Sequence, residues 1–134
     1  MNAVLVDSSV VLDLFTADVR YCEPTMALLS FWGFTHELCI DDIVYAEVSV
    51  GFGRIELLDQ ALAGSGFRHL PIPKEALFLA CKAFLGYRRR GGARLSPLPD
   101  FFIGAHAAIA GLPLLTRDPA RIRACYPTVR ILEP

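Results

Sequence analysis

Val4-Leu5-Val6-Asp7-Ser8-Ser9-Val10-Val11-Leu12-Asp13-Leu14-Phe15 carries the chain from one kind of backbone to another. Residues 4–6 are a short, continuously apolar run, the pattern of a strand buried on both faces. Asp7-Ser8-Ser9 interrupts it with side chains that cap helices, and residues 10–15 then suit a helix. A strand feeding a helix through a capping turn is the first half of a β–α–β unit, and the remaining sequence repeats the alternation.

Arg20 to Phe34 bears Met26, Leu28, Leu29 and Trp32, with Pro24 near its start and Gly33 at its end, and reads as a second helix. Glu37 to Ile40 is a strand. Asp41-Asp42 cap a helix through Val44, Val48 and Gly51, and another helix runs from about Arg54 to Leu62, closed by Gly64 and Gly66. Phe67 to Ile72 is a third strand and Lys74 to Arg88 a long helix. A basic, Gly/Pro-punctuated loop follows: Arg88-Arg89-Arg90-Gly91-Gly92-Ala93-Arg94, then Ser96-Pro97-Leu98-Pro99. Asp100 starts a helix to about Ala110, Leu114-Leu115-Thr116 is a strand, Asp118-Pro119 opens a short helix, and Val129 to Leu132 is the last strand. The expected architecture is an α/β three-layer sandwich with a parallel sheet of about five strands, forming a single domain over residues 1–134.

Composition narrows the function classes. The chain has 134 residues, 54% of them hydrophobic and 20% charged, with a mean hydropathy of +0.43, so disorder is excluded and a core must be buried. The longest uncharged run, Phe101 to Thr116, contains His106, Gly111 and Pro113 and is shorter than the ~18 apolar residues a spanning helix needs. Met1-Asn2-Ala3-Val4-Leu5-Val6-Asp7 lacks a basic leader, so the expectation is a soluble, cytoplasmic protein with no membrane contact. A net charge of −1 gives no bulk field for nucleic acid, and any attraction must be local. Eleven of the thirteen basic residues are Arg, the side chain suited to bidentate phosphate contact. Cys22, Cys39, Cys81 and Cys125 form no Cys-x-x-Cys pair, so neither a zinc site nor a disulfide framework is expected.

Four carboxylates stand out. Asp7 ends the first strand and Asp118 follows the fourth, and in a doubly wound sheet the carboxyl ends of the strands share the rim where ligands bind. Each also has a plain structural explanation as a helix cap, as does Asp100 after Pro99. Glu47 lies too far past Asp41 and Asp42 to complete a capping box, and its helical neighbours Ile43, Val44, Val50 and Gly51 are apolar. A carboxylate on a face expected to be buried needs a partner to stay ionised, and no Lys or Arg occurs on that face before Arg54. A cation shared among carboxylates answers the need, and oxygen-only ligation selects Mg²⁺ or Mn²⁺, which suit phosphoryl chemistry. Arg88, Arg89, Arg90 and Arg94, just before Asp100, and Arg117, beside Asp118, are candidate phosphate contacts, although a solvated loop explains the first group equally well.

With Asp7, Glu47, Asp100 and Asp118 in this order, the chain resembles the PIN-domain endoribonucleases, and among them the VapC-type toxins of toxin–antitoxin pairs. The resemblance rests on Leu5-Val6-Asp7-Ser8-Ser9-Val10, Ile43-Val44-Tyr45-Ala46-Glu47, Leu98-Pro99-Asp100-Phe101-Phe102-Ile103-Gly104-Ala105-His106-Ala107 and Gly111-Leu112-Pro113-Leu114-Leu115-Thr116-Arg117-Asp118, and covers nearly the whole chain. It implies a catalytic carboxylate cluster of Asp7, Glu47, Asp100 and Asp118 around Mg²⁺ or Mn²⁺, with Asp7 and Asp100 holding the metal directly. It also implies hydrolysis of RNA, commonly structured RNA such as tRNA, to 5′-phosphate and 3′-hydroxyl ends. Ser8, Ser9 and Thr116 would support the cluster through hydroxyls. Many relatives have a further acid four residues after Asp118, where this chain has Ile122, so the fourth ligand rests on Asp118 alone. A chain of this size buries only about 68% of its unfolded surface. The apolar remainder is expected to form a homodimer surface and a groove for an apolar segment of a cognate antitoxin.

Two other functions fit parts of the pattern. A PIN-type nuclease could process RNA with no antitoxin. A phospho-acceptor receiver domain is also a small α/β sandwich with acids at strand ends, but it needs a paired acid after the first strand and a Lys near its last, and Lys74 and Lys82 both precede Asp100. His36 and His69 lack an acid or Ser constellation for nucleophilic chemistry, and His106, among Ala105, Ala107 and Ile109, reads as a packed helix residue.

Overall fold

Strand β1, Ala3–Val6, is buried along its whole length, so both faces of the sheet are covered where it runs. This computed structural model describes residues 2–94 and 98–134, so Leu95, Ser96 and Pro97 of the expected basic loop lie outside the described residues. The order along the chain is β1, α1 (Ser8–Phe15), α2 (Cys22–Gly33), β2 (Glu37–Ile40), α3 (Asp42–Ser49), α4 (Ile55–Gly64), β3 (Phe67–His69), α5 (Lys74–Arg89), α6 (Pro99–Ala110), β4 (Leu114–Leu115), α7 (Ala120–Cys125) and β5 (Ile131–Leu132). The alternation and the five strands agree with the sequence. The third and fifth strands are shorter than expected, and α5 runs through Arg88 and Arg89, so the loop begins at Arg90.

All strand pairs are parallel and the order is β3-β2-β1-β4-β5. Leu5 and Val6 pair in register with Leu114 and Leu115, and the Asp7 amide extends the ladder to the Leu115 carbonyl. The chain winds outward from β1 through β2 to β3, then returns to the other side of β1 to lay down β4 and β5. Such a reversal opens a crevice beyond the carboxyl ends of the two central strands, here β1 and β4. Receiver domains follow the other common winding, 2-1-3-4-5, and the observed order sets that reading aside.

The core gathers Val4, Leu5, Val6, Ile40, Leu114 and Leu115 from the sheet with Val10, Val44, Leu58 and Phe101 from the helices. Helix α6 is seated closely. A Cβ at Gly104 would come within 2.5 Å of the Tyr126 ring and 2.9 Å of Ile122 Cδ1, so glycine is what lets the segment after β4 lie against α6. Gly111 ends α6 in the left-handed region, φ +66°, and the chain turns directly into β4. Among the described residues no helix is long and apolar enough to cross a membrane.

Candidate active site

Asp7 sits where β1 becomes α1, and its structural and chemical roles coincide. Its Oδ1 accepts from the Ser8 amide at 2.8 Å, capping α1, while Oδ2 accepts from the hydroxyls of Ser9 at 2.9 Å and Thr116 at 2.7 Å. Thr116 follows β4 directly, so the strand pairing that brings Val6 beside Leu115 also brings the hydroxyl to the carboxylate. The Thr116 oxygen in turn accepts from the Asp118 amide at 3.1 Å, and the Ser9 oxygen accepts from the Arg117 amide at 3.2 Å. The 116–118 segment is thereby bound to Asp7 by two short relays.

Glu47, on α3, receives the Ser8 hydroxyl at 2.8 Å. It is half-buried rather than enclosed, because Val50, one turn on, is 89% exposed. Asp100 occupies the first turn of α6 but does not cap it: Pro99 takes the first helical position and Leu98 the cap. Asp118 also leaves its expected capping role, since α7 begins at Ala120 behind Pro119. Both carboxylates are therefore left for other partners. Asp100 Oδ2 meets Arg121 Nη1 at 3.1 Å, and Asp118 is exposed.

The four acids form one electrostatic group. Burial pushes the Asp7 carboxyl above the usual range against its hydrogen bonds to Thr116, Ser9 and Ser8, and the charge of Asp118 adds to the rise. Burial likewise raises Glu47, with Asp7 and Asp100 contributing repulsion. Asp100 is raised first by burial and then by Asp7, with Arg121 opposing. Among the described residues no three acidic, His or Cys side chains stand together at ready metal-ligand spacing. Hydroxyls occupy Asp7 and Glu47, Arg121 occupies Asp100, and the acids surround the crevice at electrostatic range. The donor set is all oxygen, mutually repelling and partly desolvated, which fits a hard divalent cation.

Residues 4–125 match the PIN domain family. The chain belongs to the PIN domain family. Solved structures with the same fold include VapBC2 from Rickettsia felis bound to a DNA fragment from their promoter, with 14% identity, a TM-score of 0.77 and 98% of each chain covered. A toxin–antitoxin complex from Klebsiella pneumoniae gives 24% identity, a TM-score of 0.69 and 95% coverage of each. VapBC-5 from Mycobacterium tuberculosis, a member of the VapBC family of toxin–antitoxin systems, gives 19%, 0.59 and 100% of each. No curated protein sequence matches.

Arg117, a candidate phosphate contact from the sequence, is paired within the fold. Its Nη2 donates to Asp13 Oδ1 at 3.0 Å, its Nε lies 2.7 Å from Oδ2 as an ion pair without hydrogen-bond alignment, and its guanidinium carbon is 4.6 Å from the Tyr21 ring centroid. Asp13 is 3% exposed, so the pair anchors the exit of β4 to α1. Arg88, Arg89, Arg90 and Arg94 are exposed, and Arg88 donates to the Arg94 carbonyl at 2.7 Å, closing the 88–94 segment on itself.

Two contributors escaped the sequence. Arg121 is the first. The second is the buried pair of His106 Nδ1 and Asp41 Oδ2 at 3.0 Å, which joins α6, carrying Asp100, to the cap of α3, carrying Glu47. Ile122, already marked in the sequence, is 3% exposed and packs toward Gly104. Of the two contributors, only the second left a sequence signal. Asp41 announces itself as a helix cap, but nothing in the chain pairs it with a residue 65 positions away.

Proposed function

We propose that this chain is a metal-dependent endoribonuclease, the toxin of a toxin–antitoxin pair. The observation that carries the proposal is the gathering of Asp7, Glu47, Asp100 and Asp118 around the crevice between β1 and β4, three of them pushed toward protonation by burial and by one another. Asp7 and Asp100 would hold Mg²⁺ or Mn²⁺, with Glu47 and Asp118 as direct or water-mediated ligands. Bound there, the cation would supply a Lewis acid for the phosphoryl oxygen and lower the pKa of water.

The chain's own residues do the rest. Ser9 and Thr116 fix one oxygen of Asp7, and Ser8 holds Glu47, so the acids are oriented before substrate arrives. Water adds to phosphorus, the P–O3′ bond breaks, and the products carry 5′-phosphate and 3′-hydroxyl ends. Arg88, Arg89, Arg90 and Arg94 would draw the RNA backbone to this end of the sheet.

Exposed apolar side chains support protein partners. Phe31 and Phe34 near the end of α2, and Phe78 on α5, are 71%, 91% and 67% exposed, and a cleft of about 280 Å³ between α3 and α4 is lined by Tyr45, Phe52, Ile55 and Leu58. These surfaces suit a second copy of the chain and an apolar antitoxin segment, and favour the toxin role over RNA processing alone. The test is cleavage of purified tRNA with Mg²⁺ or Mn²⁺ against EDTA, with the new ends typed chemically. Metal-dependent cleavage leaving 5′-phosphates is expected; cleavage in EDTA, or 2′,3′-cyclic ends, would refute the proposal.

A further inference from the structure

Arg121 stands between two environments. On one side its guanidinium meets Asp100 at 3.1 Å. On the other it lines an open cleft of about 460 Å³ with Tyr87, Arg90, Gly91 and Gly92. Its guanidinium carbon is 5.7 Å from the Tyr87 ring centroid and 5.6 Å from that of Phe101, so aromatic faces hold the head beside the carboxylate. The backbone below it is fixed, because Ile122 and Tyr126 pack against Gly104 with no room for a Cβ. Both members of the pair keep about a third of their exposure, 30% for Arg121 and 34% for Asp100, so the head has a solvated route between carboxylate and cleft.

The contact with Asp100 has a direct cost for cation binding. An oxygen that accepts from a guanidinium has less to offer a cation, and two positive centres at such range repel. We propose that Arg121 is the resident counter-ion of the acid cluster and is exchanged for the divalent cation: when the acids take the cation, Arg121 turns into the cleft and, with Arg90, binds a backbone phosphate of the RNA. The inference rests on the metal-nuclease reading above and deepens it. It couples the two ligands of the site, because the arginine that binds RNA phosphate becomes available only when the cation is in place. It also accounts for an acid group that fits a cation in donor chemistry while its members are not drawn together at ligating distance.

The experiment uses the full chain as wild type, Arg121→Gln, Arg121→Lys and Asp7→Asn, each checked for folding by its melting temperature. Mn²⁺ binding is measured by titration calorimetry, and binding of a labelled single-stranded oligoribonucleotide by anisotropy with and without Ca²⁺, across a range of salt. Loss of the competing charge should tighten Mn²⁺ binding roughly fivefold in Arg121→Gln, while Arg121→Lys stays near wild type. With Ca²⁺ present, Arg121→Gln should lose about one phosphate contact, a decrease of about 0.7 in the slope of log K against log salt, and without Ca²⁺ the slopes should agree. Mn²⁺ binding that is unchanged or weaker in Arg121→Gln, with Asp7→Asn abolishing it, overturns the exchange and leaves the metal-nuclease reading standing. Absence of Mn²⁺ binding in the wild type overturns both.

Discussion

Replacing Arg117 with alanine would leave Asp13, 3% exposed, without its ion-pair partner. Breaking a fully buried pair costs about 3–5 kcal/mol, because one charge remains desolvated with no counter-charge. Arg117 keeps 34% of its side-chain exposure, so water can enter behind the truncated side chain and reduce the penalty to about 2–3 kcal/mol. Loss of the contact with Tyr21 adds about 0.5 kcal/mol. For a domain of this size each kcal/mol moves the midpoint by about 4 °C, so the melting temperature should fall by about 10 °C. Thermal unfolding followed by circular dichroism reads this directly, and a double-mutant cycle with Asp13→Asn should return a coupling of about 2 kcal/mol. A shift under 1 °C combined with weaker RNA binding would refute the reasoning and restore Arg117 as a surface phosphate contact.

Three further outcomes follow from the site. Asp7, Glu47 and Asp100 titrate above the usual carboxylate range in the folded chain, so between about pH 4 and their folded values the native state binds more protons than the unfolded one. Stability without divalent metal should therefore increase as pH falls through these folded values, and Mn²⁺ should flatten that slope; Asp18 and Asp42 are shifted down and act in the opposite sense, at the acid end of the range. Thr116→Val removes the hydroxyl between Asp7 and the Asp118 amide in a buried place, and should cost about 2 kcal/mol in chemical denaturation together with most of the cleavage rate. Gly104→Ala forces a Cβ against Tyr126 and Ile122, so it should destabilise by about 1–3 kcal/mol and, by displacing α7, weaken the Arg121–Asp100 contact, visible as altered Mn²⁺ affinity.

The alternation of short apolar strands with helices was legible because parallel strands covered on both faces need no polar positions, and Val4-Leu5-Val6 and Leu114-Leu115 show it plainly. Strand order was not, since periodicity carries no information about which strands are neighbours. The positions of the four acids were legible as departures from apolar runs, and so was the cap at Asp7, but the local roles of Asp100 and Asp118 were not. Pro99 takes the first helical position and pushes Asp100 off the cap, and Pro119 does the same to Asp118 by holding the cap position itself. The partners of the acids are tertiary. Arg117 reaches Asp13 across 104 residues and Arg121 reaches Asp100 across 21, and arginines beside a basic loop give no sign of which will be tied to carboxylates and which left for RNA.

The most direct test of the carboxylate cluster is RNA cleavage in Mn²⁺ by wild type, Asp7→Asn and Asp100→Asn purified in the same way. If the acids at the β1–β4 crevice perform the chemistry, each variant should remain folded and lose at least about 100-fold in rate, about 3 kcal/mol of transition-state stabilisation. Cleavage at the wild-type rate by either folded variant would contradict it.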